Sequence, residues 1–130
     1  MISRVETATP PNTPTPIGPY SHVAKVGAFI TIGGTAGVDP ATGKLADGVA
    51  AQTKQILSSF KTMLAAVNSD LDHVVHVNIF LLDMNDFEPM NAAYVEMMGK
   101  HRPARTAIGV ASLPKAGALL TMNLTAVTRG

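Results

Sequence analysis

A chain of 130 residues is sized for one domain with a real core, and a 46% hydrophobic content beside only 15% charged residues points to apolar surface covered by further copies of itself. The formal net charge of +1, without a Lys/Arg run, excludes the electrostatic footprint of a nucleic-acid binder, and the lack of cysteine excludes disulfides, thiolate zinc sites and a cysteine nucleophile. No apolar stretch approaches the roughly 20 residues of a membrane span, and Arg4 and Glu6 interrupt any signal-peptide core, so the expectation is a cytoplasmic protein with no membrane or nucleic-acid partner.

Residues 1–15 read as an extended Pro-rich leader and residues 16–130 as a single domain. Pro10, Pro11, Pro14, Pro16 and Pro19 each fix φ and lack an N–H, which rules out a helix or an inner strand there. Gly18 and Pro19 predict a turn that presents Tyr20, either as a packing aromatic or toward a cleft. Val23–Lys25 and Ala28–Ile32 predict two strands about a turn near Gly27. The second dissolves into Gly33, Gly34, Thr35, Ala36 and Gly37, whose glycines permit positive φ and close approach and offer N–H groups to a ligand. It is no phosphate loop, because the Walker lysine is absent. Val38 to Gly43 follow as a turn.

Asp47 is placed to cap a helix over Gly48–Val67, with Val49, Ile56, Phe60, Met63, Leu64 and Val67 on one stripe and Asn68 closing it in the left-handed conformation. The nearly continuous apolar run Val74–Leu82 predicts a central strand covered on both faces. On it His76 and Asn78 share a face with Val74, Phe80 and Leu82, as a hydrogen-bonded pair or as interface contacts. Asp86 is placed to cap a second helix with Pro89 in its first turn, and Gly99 ends it. Asn91 falls between Phe87 and Tyr94 on the apolar stripe, so it faces inward or toward a cleft.

Arg102, Pro103, Ala104, Arg105 and Thr106 lead into a strand over Thr106–Val110. A proline two residues before Arg105 holds a planar, two-pronged donor at the mouth of that strand, a donor that suits a carboxylate, although taken alone Arg105 reads first as a surface arginine in a helix-to-strand connection. Leu119–Thr128 alternates apolar with mostly polar residues and predicts the last strand, giving the order ββαβαββ. His22 and His101 read as surface histidines or as groups reaching a cleft.

Several ordered blocks together resemble the Rid/YjgF family of reactive-intermediate deaminases: Gly18-Pro19-Tyr20-Ser21, Asp39-Pro40 with Thr42-Gly43, Gln52-Thr53, Asp83-Met84 with Asp86-Phe87, Asn91 with Tyr94, Pro103-Ala104-Arg105-Thr106, and Leu113-Pro114-Lys115. The resemblance covers nearly the whole chain after residue 15. It implies a chorismate-mutase-like α+β fold, a mixed sheet backed by two helices, assembled as a homotrimer with sites in the clefts between subunits. The implied activity is hydrolysis of enamines and imines such as 2-aminoacrylate and 2-iminobutyrate to 2-oxo acids and ammonia, with no metal and no organic cofactor.

By that pattern Arg105 corresponds to the carboxylate-binding arginine, Tyr20 and Asn91 to cleft residues, and Gly34 to a backbone contact. Gly33, Thr35, Thr106 and Ala107 fall at the substrate-binding positions around them. The chain departs from the pattern where a water-positioning glutamate is usual, since the matching stretch is Thr121, Met122, Asn123, which leaves Thr121 or Asn123 to hold the water. Gly33 replaces a serine, Thr35 a glutamine and Ala107 a cysteine. Arg102 adds a second guanidinium, either a solvated or ion-paired residue or a holder for the second carboxylate of a 2-aminomuconate-like substrate. The alternatives are a non-catalytic trimeric binder of small carboxylates and a ribonuclease or translation inhibitor.

Overall fold

The computed structural model describes residues 4–130, which form eight strands and two α-helices. In chain order these are β1 (Glu6–Ala8), β2 (Val23–Val26), β3 (Phe29–Ala36), β4 (Val38–Asp39), β5 (Lys44–Leu45), α1 (Val49–Ala65), β6 (Val74–Leu81), α2 (Phe87–Met98), β7 (Ala104–Gly109) and β8 (Leu120–Val127). Six strands make one sheet in the order β1-β2-β3-β8-β6-β7, and β4 with β5 forms a separate ribbon. Only β6 and β7 pair parallel, because α2 carries the chain back between them. This is the expected mixed α+β arrangement.

Alternation decides which face the helices cover. On β8, Leu120, Met122, Leu124 and Ala126 are buried, while Thr121, Asn123 and Thr125 are only half-buried on the other side. The buried set packs against Ile56, Phe60 and Leu64 of α1 and Met90 and Tyr94 of α2 in one core. Burying a large apolar side chain of this kind stabilises by about 1.5–3 kcal/mol relative to exposure. The opposite sheet face has no helix on it and leaves Phe29, Val75, Ile108 and Val127 exposed.

Several local expectations are corrected. The central strand β6 is covered on one face only within the chain. A register shift between Val74 and His76 buries Val74 and turns Val75 outward, so Val74 does not share a face with His76. Asp47 does not cap α1: Gly48 occupies that place at φ 89°, a conformation glycine adopts without strain, and no side chain caps the helix. Asp86 sits at the start of α2 without a side-chain cap bond, while Asp83 accepts from the Asn85 N–H at 2.9 Å and caps the short turn before it. Asn68 does take the left-handed conformation, at φ 59°.

Three further segments are more ordered than their composition indicates. Glu6–Ala8, in the leader, pairs antiparallel with β2 as an edge strand. Val38–Leu45 contains the β4–β5 ribbon rather than a turn alone. Strand β3 continues through Gly33 and Gly34 to Ala36, with a bulge between Ile32 and Thr35 and no positive φ at either glycine. Gly37 is required for a different reason, since a Cβ there would lie 2.7 Å from the Gln52 backbone. The first turn of α1 is thus pressed against the end of β3.

Candidate functional site

Parallel pairing places Arg105 beside Val77, so Arg105 points to the helix side of the sheet at its outer edge. There its guanidinium lies over the Tyr94 ring, 4.9 Å from the centroid, and 5.7 Å from that of Phe87. Such stacking contributes about 0.5–2 kcal/mol depending on exposure, and it fixes the plane of the fork. No carboxylate among the described residues lies within ion-pair distance of Arg105. The charge is seated on aromatic carbon, with no ion-pair partner among the described residues.

Around this guanidinium Asn91, Tyr94, Val95, Arg102 and Pro103 line an open cavity of about 290 Å³. Asn91 Oδ1 and Tyr94 Oη are buried without a hydrogen-bond partner among the described residues. Burial pushes the Tyr94 phenol above its usual range, partly offset by the charges of Arg105 and Arg102, so the hydroxyl keeps its proton at neutral pH. Arg102 is exposed at the rim and donates through Nη1 to the carbonyls of Gly99 and His101, which closes the C-terminal end of α2. His101 shares a hydrogen bond with the Val74 carbonyl at 2.8 Å, which ties the α2–β7 connection to the start of β6.

A second, larger cavity of about 780 Å³ lies elsewhere on the chain and is lined by Tyr20, His22, Gly33, Gly34, Thr35, Lys115 and Thr121, among others. The Tyr20 hydroxyl accepts from the Ile17 N–H at 3.2 Å, which folds the Gly18-Pro19 turn under the ring. His22 is buried, not a surface histidine: its Nε2 bonds the Pro14 carbonyl and holds the proline-rich segment against the cavity. Gly33 has committed its N–H to the His22 carbonyl at 3.0 Å, and Thr35 Oγ1 donates to the Gly33 carbonyl at 3.0 Å.

The predicted residues therefore fall into two groups within one chain. Arg105, Arg102 and Asn91 meet in the smaller cavity, while Tyr20, Gly33, Gly34, Thr35 and Thr121 meet in the larger. Asn123 belongs to neither, and accepts from Asn78 Nδ2 at 2.8 Å on the helix-free sheet face. Thr106 shares that face and bonds His76 at 3.1 Å, so His76 and Asn78 each pair with a neighbouring strand and not with one another. Ala107 lies half-buried against the core. The sequence assigned Tyr94 and Phe87 to the apolar stripe of α2 and to the blocks that carry the resemblance, with no role at the site. Their spacing from Asn91, four residues before and three after, already puts all three on one helix face.

Residues 10–128 match the family model described as Endoribonuclease L-PSP. A RutC family protein of Pyrococcus horikoshii is 45% identical over 105 residues, covering 80% of this chain and 83% of that protein. The 2-iminobutanoate/2-iminopropanoate deaminase of Bos taurus is 42% identical over 105 residues, covering 80% of this chain and 77% of that protein. The crystal structure of RidA from the Antarctic bacterium Psychrobacter sp. PAMC 21119 superposes with a TM-score of 0.90 at 34% identity, covering 94% of this chain and 98% of the other.

Proposed function

Since the chain belongs to the YjgF/Rid family, the family of the Endoribonuclease L-PSP model, we propose that it hydrolyses enamines and imines bearing a carboxylate to the oxo acid and ammonia, without a cofactor. The observation that carries this reading is Arg105, a guanidinium stacked on Tyr94 with no carboxylate of the described residues at ion-pair distance, facing a small cavity. A protonated imine carbon is already electrophilic, so the protein has to anchor the carboxylate, hold a water on one face and let the nitrogen depart. An enamine first takes a proton on carbon to become the imine. Water then adds to the C=N carbon, and the C–N bond breaks to release ammonia as the carbonyl forms.

The homotrimer belongs to the same proposal, with each site built from the Arg105 cavity of one copy and the Tyr20 cavity of the next. Its support is the low charge content, the helix-free sheet face bearing Phe29, Val75, Ile108 and Val127, and the division of the predicted residues between two cavities. Thr121, which lines the larger cavity, is the side chain proposed to hold water where relatives of this kind carry a carboxylate; Asn123 is engaged by Asn78.

Arg102 favours a substrate with a second carboxylate, such as 2-aminomuconate, because it borders the same cavity as Arg105 and uses only Nη1 in its bonds to Gly99 and His101. If Arg102→Ala leaves the turnover of mono- and dicarboxylic enamines equally unchanged, that preference is refuted. The net charge of +1 weighs against a nuclease.

The decisive assay generates 2-aminoacrylate or 2-aminomuconate enzymatically in the presence of the protein and follows ammonia or the loss of enamine absorbance. Turnover lost in Arg105→Ala supports the reading. Tight binding of 2-oxo acids without turnover replaces it with a non-catalytic carboxylate binder.

A further inference from the structure

His22 is 2% exposed, and its two ring nitrogens are treated differently by the fold. Nε2 bonds the Pro14 carbonyl, while Nδ1 finds no partner among the described residues. A carbonyl only accepts, so Nε2 carries the hydrogen and Nδ1 of the neutral ring is bare. The bond therefore fixes one tautomer and leaves a buried acceptor unpaired. An apolar side chain of similar volume would avoid that unpaired atom, so what the bond to Pro14 holds in place needs an explanation.

Between Pro14 and His22 stands Tyr20. Its ring packs on the imidazole in a T-shaped contact, with 6.0 Å between centroids and 65° between planes. The Tyr20 N–H donates to the Gly18 carbonyl at 2.9 Å, and the hydroxyl accepts from the Ile17 N–H at 3.2 Å. A hydroxyl that accepts from that N–H cannot donate back to it, so the phenolic O–H is left to donate into the cavity that Tyr20 lines. The His22 backbone is meanwhile tied to its surroundings: its carbonyl accepts from the Gly33 N–H at 3.0 Å and its N–H donates to Thr9 Oγ1 at 3.4 Å. Pro14, Tyr20, His22 and Gly33 all line the same cavity.

We propose that His22 is a positioning residue for Tyr20: the bond from Nε2 to Pro14 clasps residues 14–22 into one arrangement, in which the Tyr20 hydroxyl is a fixed donor at the reaction site. The inference rests on the Tyr20 cavity forming part of that site, and adds to it a side chain too deeply buried to meet substrate itself. A donor oriented before the substrate arrives needs no reorganisation as charge shifts during the reaction.

Three variants separate this role from a merely structural one. His22→Gln keeps an N–H donor at about the reach of Nε2, His22→Leu fills the space without one, and Tyr20→Phe removes the hydroxyl alone. In enamine hydrolysis His22→Leu is expected to lower kcat about ten- to a hundredfold, the scale of a misplaced group, with KM little changed because Arg105 lies in the other cavity. Tyr20→Phe is expected to lose at least as much, and His22→Gln to recover most of the loss. The double variant His22→Leu/Tyr20→Phe is expected to be no slower than Tyr20→Phe, since nothing is left to position. Amide hydrogen exchange reads the clasp without turnover: the Ile17 N–H, held by the Tyr20 hydroxyl, should exchange about two- to tenfold faster in His22→Leu and close to the wild-type rate in His22→Gln.

Losses that multiply in the double variant overturn the inference, because a structural defect acts independently of the hydroxyl. Slower turnover without faster exchange at Ile17 overturns it as well. Should His22→Leu fail to fold, proton–nitrogen correlation spectra of the wild-type imidazole decide: a hydrogen on Nε2 is expected, and one on Nδ1 overturns the clasp. Faster exchange in His22→Leu with full turnover in both His22→Leu and Tyr20→Phe takes the Tyr20 cavity out of the reaction site, and the inference falls with that reading while Arg105 keeps its role.

Discussion

The guanidinium of Arg105 rests 4.9 Å from the centroid of the Tyr94 ring, so the cation is fixed by a helix while its backbone is fixed by a strand. This double seating separates what its charge does from what its shape does. Arg105→Lys keeps the charge but loses the planar fork and the stacking. Steady-state kinetics on an enamine carboxylate are expected to show kcat/KM lower by about a hundredfold, the scale of a misplaced anchor. The thermal midpoint should fall only by what the lost stacking is worth, about 0.5–2 kcal/mol, because Arg105 has no ion-pair partner among the described residues.

The contact of Gly37 with Gln52 is expected to be among the least tolerant of substitution. A methyl group at position 37 would stand 2.7 Å from both Gln52 Cα and its carbonyl oxygen. Gln52 cannot withdraw freely, since its side chain donates to the Ala46 carbonyl at 3.1 Å and accepts from the Leu119 N–H at 2.9 Å. Gly37→Ala should therefore cost about 1–3 kcal/mol, the range for overpacking against fixed backbone. Urea unfolding should show a lower midpoint at unchanged slope.

How far such features can be read from sequence depends on whether their cause is local. The stripe Ile56, Phe60, Met63, Leu64 and the alternation of Leu120 to Ala126 declare α1 and β8 because periodicity alone makes one face apolar. Gly48 defeats the expected Asp47 cap because it takes the cap place itself at φ 89°, a conformation glycine adopts without strain. Strand β3 runs through Gly33 and Gly34 because β8 pairs with it on both sides of its bulge, as a lone pass along the chain cannot reveal. Arg105 and Asn91 were legible from their neighbours in sequence. The second role of Tyr94 was not, since an aromatic on an apolar stripe reads as core until a cation from another element is found on its ring.

Asp70 offers a prediction that concerns stability alone. A hydrogen bond from His73 at 2.7 Å holds its carboxyl below the ordinary aspartate range; desolvation opposes it, and the charges of His73 and Arg129 and the Asp72 backbone add lesser lowering contributions. A depressed folded pKa stabilises the fold above the unfolded value and ceases to do so as pH falls through the folded one. Asp70→Asn should then lower the thermal midpoint near neutral pH, and the gap to wild type should close below roughly pH 4. The group is largely exposed, so the effect belongs to the surface-pair range of about 0.2–1 kcal/mol and should shrink further in high salt.

The division of the site between two cavities leads to the most demanding prediction. If one copy supplies Arg105 and its neighbour supplies the wall around Gly34, two defective chains can repair one another. Arg105→Ala removes the anchor. Gly34→Leu fills the opposite wall, and nothing lies within 4 Å of a Cβ at that position to disturb the chain's own fold. In a cyclic trimer containing both variants, one junction joins an intact Arg105 to an intact Gly34 whichever variant is in excess, so about a third of the sites in each mixed trimer should turn over. Each variant alone should be inactive. Co-refolding the two and assaying ammonia release reads the difference directly, because a site contained within a single chain would stay dead in every mixture.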